Sequence, residues 1–397
     1  MASLGHRCRY CPVFSGAMAE RMKLLAKTFF GLEAVLADEL EQLGAKEVVQ
    51  HKRAVSFAGD QALMYRANLH LRTALRILQP IHAFVARNEQ ALYRGVQQVN
   101  WARYLHPKGT LAVDSVVNSP YFKHSHYAAL KTKDAIVDQF RKKFGKRPSV
   151  EVANPTLRIN LHISQDRCSL SLDSSGDSLH KRGYRLDKNP APLNEVLAAG
   201  MLRLAGWQAD RHFVDPMCGS GTLPIEAAMM AYGVAPGLYR QFGFMKWPDF
   251  DRQLWDQLLR QAGQEVQPYF AHEIWGTDQS ERFIQIATDN TRRARLRRAI
   301  KLEVCSMQEL QPPEAPGLVM INPPYGERLK ADDLTALYSM IGDQLKQRFA
   351  GYDAWVLSAN KEAMKRIGLR ASVKKELFNG PLACRFHKFE MYRGKGK

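Results

Sequence analysis

The chain has 397 residues, 45% hydrophobic and 24% charged, with 57 Lys and Arg against 39 Asp and Glu, a formal net charge of +18. That length argues for two or three domains. No run approaches the roughly 18 apolar residues of a membrane helix, and a positive excess spread over several regions points to polyanionic partners.

Six cysteines, Cys8, Cys11, Cys168, Cys218, Cys305 and Cys384, are too scattered for a disulfide framework and suit a reducing cytoplasm. Cys8-x-x-Cys11 has no second pair, so no metal site is expected. Residues 1–21 lack the apolar core of a signal peptide and read as a disordered leader, with Met18 or Met22 as a clean alternative start.

From Lys23 the pattern is a strand (Leu24 to Phe30), a helix (Leu32 to Leu43), two short strands (Glu47 to Gln50 and Ala54 to Phe57), a helix (Gln61 to Leu71) and a strand (Leu75 to Ile81). That β-α-β-β-α-β order is ferredoxin-like and fills residues 22–87. Residues 88–175 form a second α+β unit, with a helical stretch through Tyr93 and Trp101, a strand at Leu111 to Val117, a long helix from Tyr127 to Phe144, and strands at Leu157 to Ile163 and Cys168 to Leu172. The long helix carries Lys131, Lys133, Arg141, Lys142 and Lys143, and Lys123, His124, His126, Lys146 and Arg147 flank it. A solvated helix face has a similar composition. The interleaved Tyr121, Phe122 and Tyr127 favour a surface that meets phosphates and stacks on unpaired bases.

A turn at Ser174-Ser175-Gly176 opens a third domain, residues 176–397. His180-Lys-Arg-Gly-Tyr-Arg185 leads through Pro190 and Pro192 into an apolar helix, Asn194 to Gly206, and Arg182 and Arg185 join the candidate RNA-binding set. From Phe213 strands and helices alternate, which predicts a parallel sheet covered on both faces. An aromatic stretch, Gly233 to Tyr269, reads as a partly helical insertion, and Asn379-Gly380 as a hairpin turn between Val373 to Leu377 and Arg385 to Met391.

Two motifs carry chemistry. Asp215-Pro-Met-Cys-Gly-Ser-Gly-Thr222 follows a strand and opens a helix, so its glycines let backbone approach a nucleotide-like ligand at helix N-terminal amides. It is not a phosphate P-loop, having no Gly-Lys-Ser/Thr, and Pro224 stands where a dinucleotide loop has its third glycine. Asp278, ending Ile274-Trp-Gly-Thr-Asp278, is the acid expected to hold ribose hydroxyls. Asn322-Pro-Pro-Tyr325 fits methylation of an exocyclic amine: the Asn322 amide oxygen and the Pro323 carbonyl accept its two N–H protons, and Tyr325 stacks on the base. Alignment against a sulfonium then supplies much of the rate without a charged base.

These motifs resemble those of class I S-adenosylmethionine-dependent N-methyltransferases. With Leu24-Leu-Ala-Lys-Thr-Phe-Phe-Gly-Leu-Glu33, Asp173-Ser-Ser-Gly176, His180 to Arg185, Leu193-Asn-Glu-Val-Leu-Ala198 and Asn322-Pro-Pro-Tyr-Gly-Glu-Arg328, the ordered chain resembles the THUMP-domain RNA methyltransferases, in particular the short RlmL-like 23S rRNA guanine-N2 enzymes. The resemblance implies an α/β fold: a Rossmann-like, seven-stranded methyltransferase domain with its last strand antiparallel, preceded by ferredoxin-like and THUMP α+β domains that capture RNA. It implies S-adenosylmethionine as cofactor, held by Met217, Gly219, Gly221, Thr222 and Asp278, with Asp215 orienting the loop. Asn322, Pro323, Pro324 and Tyr325 become the catalytic loop, with Asn322 also bordering the cofactor. Where the family often places an acid near the adenine amine, this chain has Cys305-Ser306-Met307, and Ser306 is the substitute acceptor. A tRNA guanine-N2 enzyme and a non-catalytic ribosome-assembly protein remain open, whereas the THUMP-like region disfavours DNA adenine methylation. The cluster Arg292, Arg293, Arg295, Arg297, Arg298 and Lys301 is either a solvated face or an auxiliary rRNA contact.

Overall fold

The computed structural model describes residues 21–185, 193–324 and 331–392. Apart from Arg21, the expected leader lies outside this range, as does Tyr325. The described residues separate into two compact units, one drawn from those up to Thr28, Leu36–Leu179 and Arg240–Leu259, the other from Phe29–Val35, those between His180 and Tyr239, and those from Arg260 onward.

The first unit contains β1 (Met22–Lys27), α1 (Glu33–Gln42, whose first residues fall to the other unit), β2 (Lys46–His51), β3 (Ala54–Gly59), α2 (Gln61–His70), β4 (Arg76–Val85), α3 (Glu89–Gln97), β5 (Thr110–Asn118), α4 (Ser125–Phe144), β6 (Ser149–Val150), β7 (Leu157–Ser164) and β8 (Arg167–Asp173). Asp60 starts α2 by accepting from Leu63 N at 2.7 Å, a cap worth about 1 kcal/mol. The strands form one eight-stranded sheet, β2-β3-β1-β4-β8-β7-β5-β6. Its first four are in ferredoxin-like order, and β4 joins them to the strands of the second α+β module. The sequence pattern ends this strand at Ile81, but β4 continues to Val85, pairing with β8 from Leu78↔Asp173 to Val85↔Arg167. Pro80 cannot donate to the ladder, and the register shifts between Pro80 and His82, a bulge that accommodates it. Helix α4 buries Ala128, Thr132, Ala135, Ile136 and Phe140 at helical spacing and turns its basic last turn to solvent.

Asp173-Ser-Ser-Gly176 is a structural knot. Asp173 is buried, ion-pairs with Arg76, and accepts from Ser175 N at 3.0 Å and Gly176 N at 3.2 Å. Ser174 Oγ donates to Ile77 O at 2.8 Å, and Ser175 Oγ to Asn68 Oδ1 at 2.6 Å, tying the end of β8 to β4 and α2. Part of the aromatic insertion completes this unit. Phe244 N donates to Ser174 O at 2.9 Å, Gln61 Nε2 to Asp249 O at 2.7 Å, and Phe244 and Trp255 pack on Tyr65 with centroids 4.3 and 6.1 Å away. Burying each such ring contributes on the order of 2–3 kcal/mol.

The second unit contains α5 (Glu195–Leu204), β9 (His212–Asp215), α6 (Thr222–Ala231), α7 (Arg252–Gln264, begun in the first unit), β10 (Ile274–Asp278), α8 (Glu281–Arg293), β11 (Lys301–Val304), β12 (Gly317–Ile321), α9 (Ala331–Arg348), β13 (Tyr352–Ser358), α10 (Lys361–Arg366), β14 (Val373–Asn379) and β15 (Leu382–Glu390). Its seven-stranded sheet runs β11-β10-β9-β12-β13-β15-β14. Strand β15 is antiparallel to β13 and β14, and the pair Asn379↔Leu382 leaves Gly380-Pro381 as the hairpin loop. All five residues of β12 are buried, with Val319 and Ile321 in the core formed with Tyr338, Ile341 and Leu345 of α9. The strand order reverses between β9 and β12, which opens a crevice at their carboxyl ends, where open α/β sheets bind ligands.

Candidate active site

Asp215, Asp278 and Asn322 stand at the carboxyl ends of three adjacent parallel strands, in the order β10-β9-β12. Gly276 pairs with Asp215, and Val319 with Val214, which sets the three strand ends side by side.

The glycine loop leaves β9 at Asp215, whose Oδ1 accepts from Met217 N at 3.1 Å. Backbone bonds fasten it to the neighbouring strand: Cys218 N donates to Thr277 O at 2.8 Å, and Gly219 N to Asp278 Oδ2 at 3.1 Å. Asn290 of α8 donates to Ser220 O at 2.9 Å. Gly219 (φ +51°) and Gly221 (φ +80°) take left-handed conformations, and a Cβ on Gly219 would meet nothing within 4 Å. The loop is therefore rigid, and its backbone at Gly219 is open to a ligand. Thr222 begins α6 with its amides at the loop. Pro224 lies in the first turn, where a missing N–H costs little, and its ring is 3.0 Å from where a Gly276 Cβ would be, so it does the packing of a third glycine.

Asp278 divides its carboxylate, Oδ2 to Gly219 N and Oδ1 accepting from Ser280 N at 2.9 Å, and each oxygen keeps a lone pair for a hydroxyl. Burial pushes Asp215 well above the usual carboxylate range; the Met217 N–H holds it back, and the negative charge of Asp278 adds to the rise. The same surroundings push the Cys218 thiol well up, burial first and then Asp215 and Asp278, so it stays neutral. Met217 turns its side chain toward the core around β12.

At the end of β12, Asn322 Oδ1 is buried and has no hydrogen-bond partner among the described residues. Pro323 is buried and Pro324 exposed. Ser306, beyond β11, donates its hydroxyl to Glu309 at 2.7 Å and keeps its lone pairs. Glu309 stands three residues along the chain, in a short turn where Glu309 N donates to Ser306 O at 3.1 Å.

Two of the candidate RNA contacts, Arg182 and Arg185, are engaged within the protein. Arg182 is 4% exposed and faces the fully buried Glu226, its Nε 3.5 Å from Oε1, where Tyr184 Oη donates at 3.1 Å. Arg185 is within 3.2 Å of Glu195 and donates to Thr222 Oγ1 at 2.5 Å and Leu193 O at 3.1 Å. Buried carboxylates on α5 and α6 engage both guanidiniums, so Arg182 and Arg185 brace these two helices. Thr222 Oγ1 is correspondingly engaged by Arg185. The other candidates lie in the first unit: Lys123, His124, Lys142 and Lys143 are exposed, Arg141 pairs with Asp138 at 3.2 Å, and Lys131 Nζ sits 5.4 Å from the Tyr93 ring centroid.

Comparison with known protein families matches residues 23–78 to the RlmL ferredoxin-like domain, 86–173 to the THUMP domain and 182–388 to the RMKL-like methyltransferase domain. The chain belongs to the RMKL-like methyltransferase family. A relative of this RMKL-like chain, "Putative RNA methyltransferase slr0064" of Synechocystis sp., is 43% identical over 91% of this chain and 95% of its own length. "Ribosomal RNA large subunit methyltransferase K/L" of Syntrophotalea carbinolica is 42% identical over 93% of this chain, which spans only 54% of that longer protein. Among solved structures, "SMU.472, a putative methyltransferase complexed with SAH" is 30% identical, with a TM-score of 0.85 over 95% of this RMKL-like chain and 100% of its own.

Proposed function

We propose that this RNA methyltransferase, using S-adenosylmethionine, methylates the exocyclic N2 of a guanine in 23S rRNA in the cytoplasm. The observation that carries the reading is the buried Asn322 oxygen. An acceptor left so costs about 1–3 kcal/mol until a donor arrives, and an amine on a base edge is such a donor. The Pro323 carbonyl accepts the second proton, and the motif assigns the stacking ring to Tyr325.

The glycine loop fits the cofactor: Gly219 gives open backbone, Asp278 accepts ribose hydroxyls, and Ser306 with Glu309 forms an acceptor pair for the adenine amine. When bound, S-adenosylmethionine supplies an electrophilic methyl group on a positively charged sulfur. Asp215 orients the loop through Met217 N, and Arg185 with Glu195 fixes Thr222 at the head of α6. RNA capture falls to the ferredoxin-like and THUMP modules, through Lys123, His124, Lys131, Arg141, Lys142 and Lys143 with the exposed Tyr121 and Tyr127. The relatives named for the large ribosomal RNA support that substrate, and the motif resemblance supports guanine N2.

The test is nucleoside mass spectrometry of 23S rRNA and tRNA from a strain lacking the gene, with and without the gene restored. Loss of one N2-methylguanosine from 23S rRNA is expected. If every 23S methylation persists, the substrate assignment is wrong, and loss from tRNA would reassign it.

A further inference from the structure

The basic run after α8 is not a uniform solvated face. From Ala294 to Lys301 it alternates buried anchors, Ala294, Leu296 and Ile300, with exposed cations. Three of these, Arg295, Arg298 and Lys301, line a cleft of about 830 Å³ whose other wall is aromatic, with Tyr239, Tyr269 and Phe270. A space of ~300–1,000 Å³ is what a nucleotide-sized ligand fills. The cleft opens where β10 and β11 begin, at Ile274 and Lys301, whereas Asp215, Asp278 and Asn322 stand where their strands end. It is therefore separate from the candidate active site.

Two details suit the walls to planar, anionic material. Arg295 has φ +59°, a left-handed conformation that glycine takes without strain, yet an arginine occupies it. Its guanidinium carbon lies 4.3 Å from the Tyr239 ring centroid, so cation and ring make a stacked platform. Tyr269 is 75% exposed, a large ring shown to solvent beside three cations. Glu273 also lines the cleft, but the Trp275 indole N–H donates to its carboxylate. Arg292, by contrast, pairs with Asp289 at 2.7 Å and does not line the cleft.

We infer that this cleft is a second RNA site, in which a single-stranded segment stacks bases on Tyr269 and the Arg295–Tyr239 platform and lays phosphates against Arg298 and Lys301. The inference rests on the reading of the chain as an RNA enzyme. Stacking platforms flanked by cations bind unpaired strands with little sequence preference.

The test uses the full-length protein and a labelled, unstructured oligoribonucleotide of 15 nucleotides, with affinity followed across salt concentration. An Arg295→Gly/Arg298→Gln/Lys301→Gln protein should show a salt slope shallower by about 1.4, from ~0.7 per phosphate contact over two contacts, and weaker binding from loss of the stacked guanidinium. Tyr269→Ala should weaken binding roughly fivefold or more. Thermal midpoint and S-adenosylmethionine binding should match the unaltered protein in both cases. Should the triple variant lose stability, Arg298→Gln/Lys301→Gln alone should still reduce the slope by about 1.4. RNA binding and methylation by the unaltered protein with unchanged slope and affinity in the variants overturns the cleft and leaves the enzyme reading intact. An unaltered protein that binds cofactor but no RNA overturns both, and equal binding of a 15-base-pair duplex rules out stacking as the mode.

Discussion

At the scale of single residues, the buried Asn322 amide oxygen has no hydrogen-bond partner among the described residues. On the proposed mechanism, replacing Asn322 by Ala removes an acceptor whose contact strengthens as the amine becomes a nucleophile. We predict that Asn322→Ala lowers kcat roughly a hundredfold while cofactor affinity, measured by calorimetry, stays within a few-fold. Asp215 has a different signature. Its raised pKa means that it holds a proton at a higher pH than an ordinary carboxylate, and a cation bound nearby favours the ionised form. Binding of S-adenosylmethionine should therefore release a proton and tighten as pH rises through that range, then level off. Binding enthalpies in two buffers of different ionisation heat measure the release, and Asp215→Asn should abolish it. The glycine loop, Asp278 and Asn322 were legible in sequence because strand-then-glycine and strand-then-proline leave strong local marks. The burial of Arg182 and Arg185 is not legible in sequence, because their partners Glu226 and Glu195 lie 44 and 10 residues along the chain. Ser306 was seen without Glu309 because a hydrogen bond across three residues carries no composition signal.

Among elements, β4 marks the limit of local reading. Pro80 is a strand breaker by propensity, so the pattern stops the strand beside it; pairing with β8 and a bulge carry it on. Two modules that look separate in sequence thereby share one sheet. The knot at the end of β8 depends on a buried carboxylate serving Arg76 and two backbone amides at once. Asp173→Ala should cost about 3 kcal/mol, visible as a lower urea midpoint with unchanged m-value, whereas Ser178→Ala, at a partly buried hydroxyl outside the knot, should cost under about 1 kcal/mol. The seven-stranded sheet was predictable because alternating strand and helix patterns admit few topologies, and the closing hairpin because Asn379-Gly380 is a strong turn signal.

For the whole molecule, the division into units does not follow the order of the chain. The aromatic stretch reads as an insertion within the third domain, yet Arg240–Leu259 belongs with the N-terminal unit, an allegiance set by ring packing on Tyr65 that no local pattern encodes. A fragment ending at Leu179 would lack these residues and expose Tyr65 and the Asp173 knot. We predict that it melts well below the full chain, or aggregates, and that a linked Arg240–Leu259 segment restores cooperative unfolding in calorimetry.

That allegiance also sets a timetable. During synthesis Leu179 is joined roughly 80 residues before Leu259, a wait of about 4–16 s at typical elongation rates. The N-terminal unit can close only after the glycine loop has been made, so a chain abandoned before Arg240 carries neither half in finished form. Premature termination then yields a protein without a complete first unit, open to proteolysis, instead of a stable competitor for the full-length chain's partner.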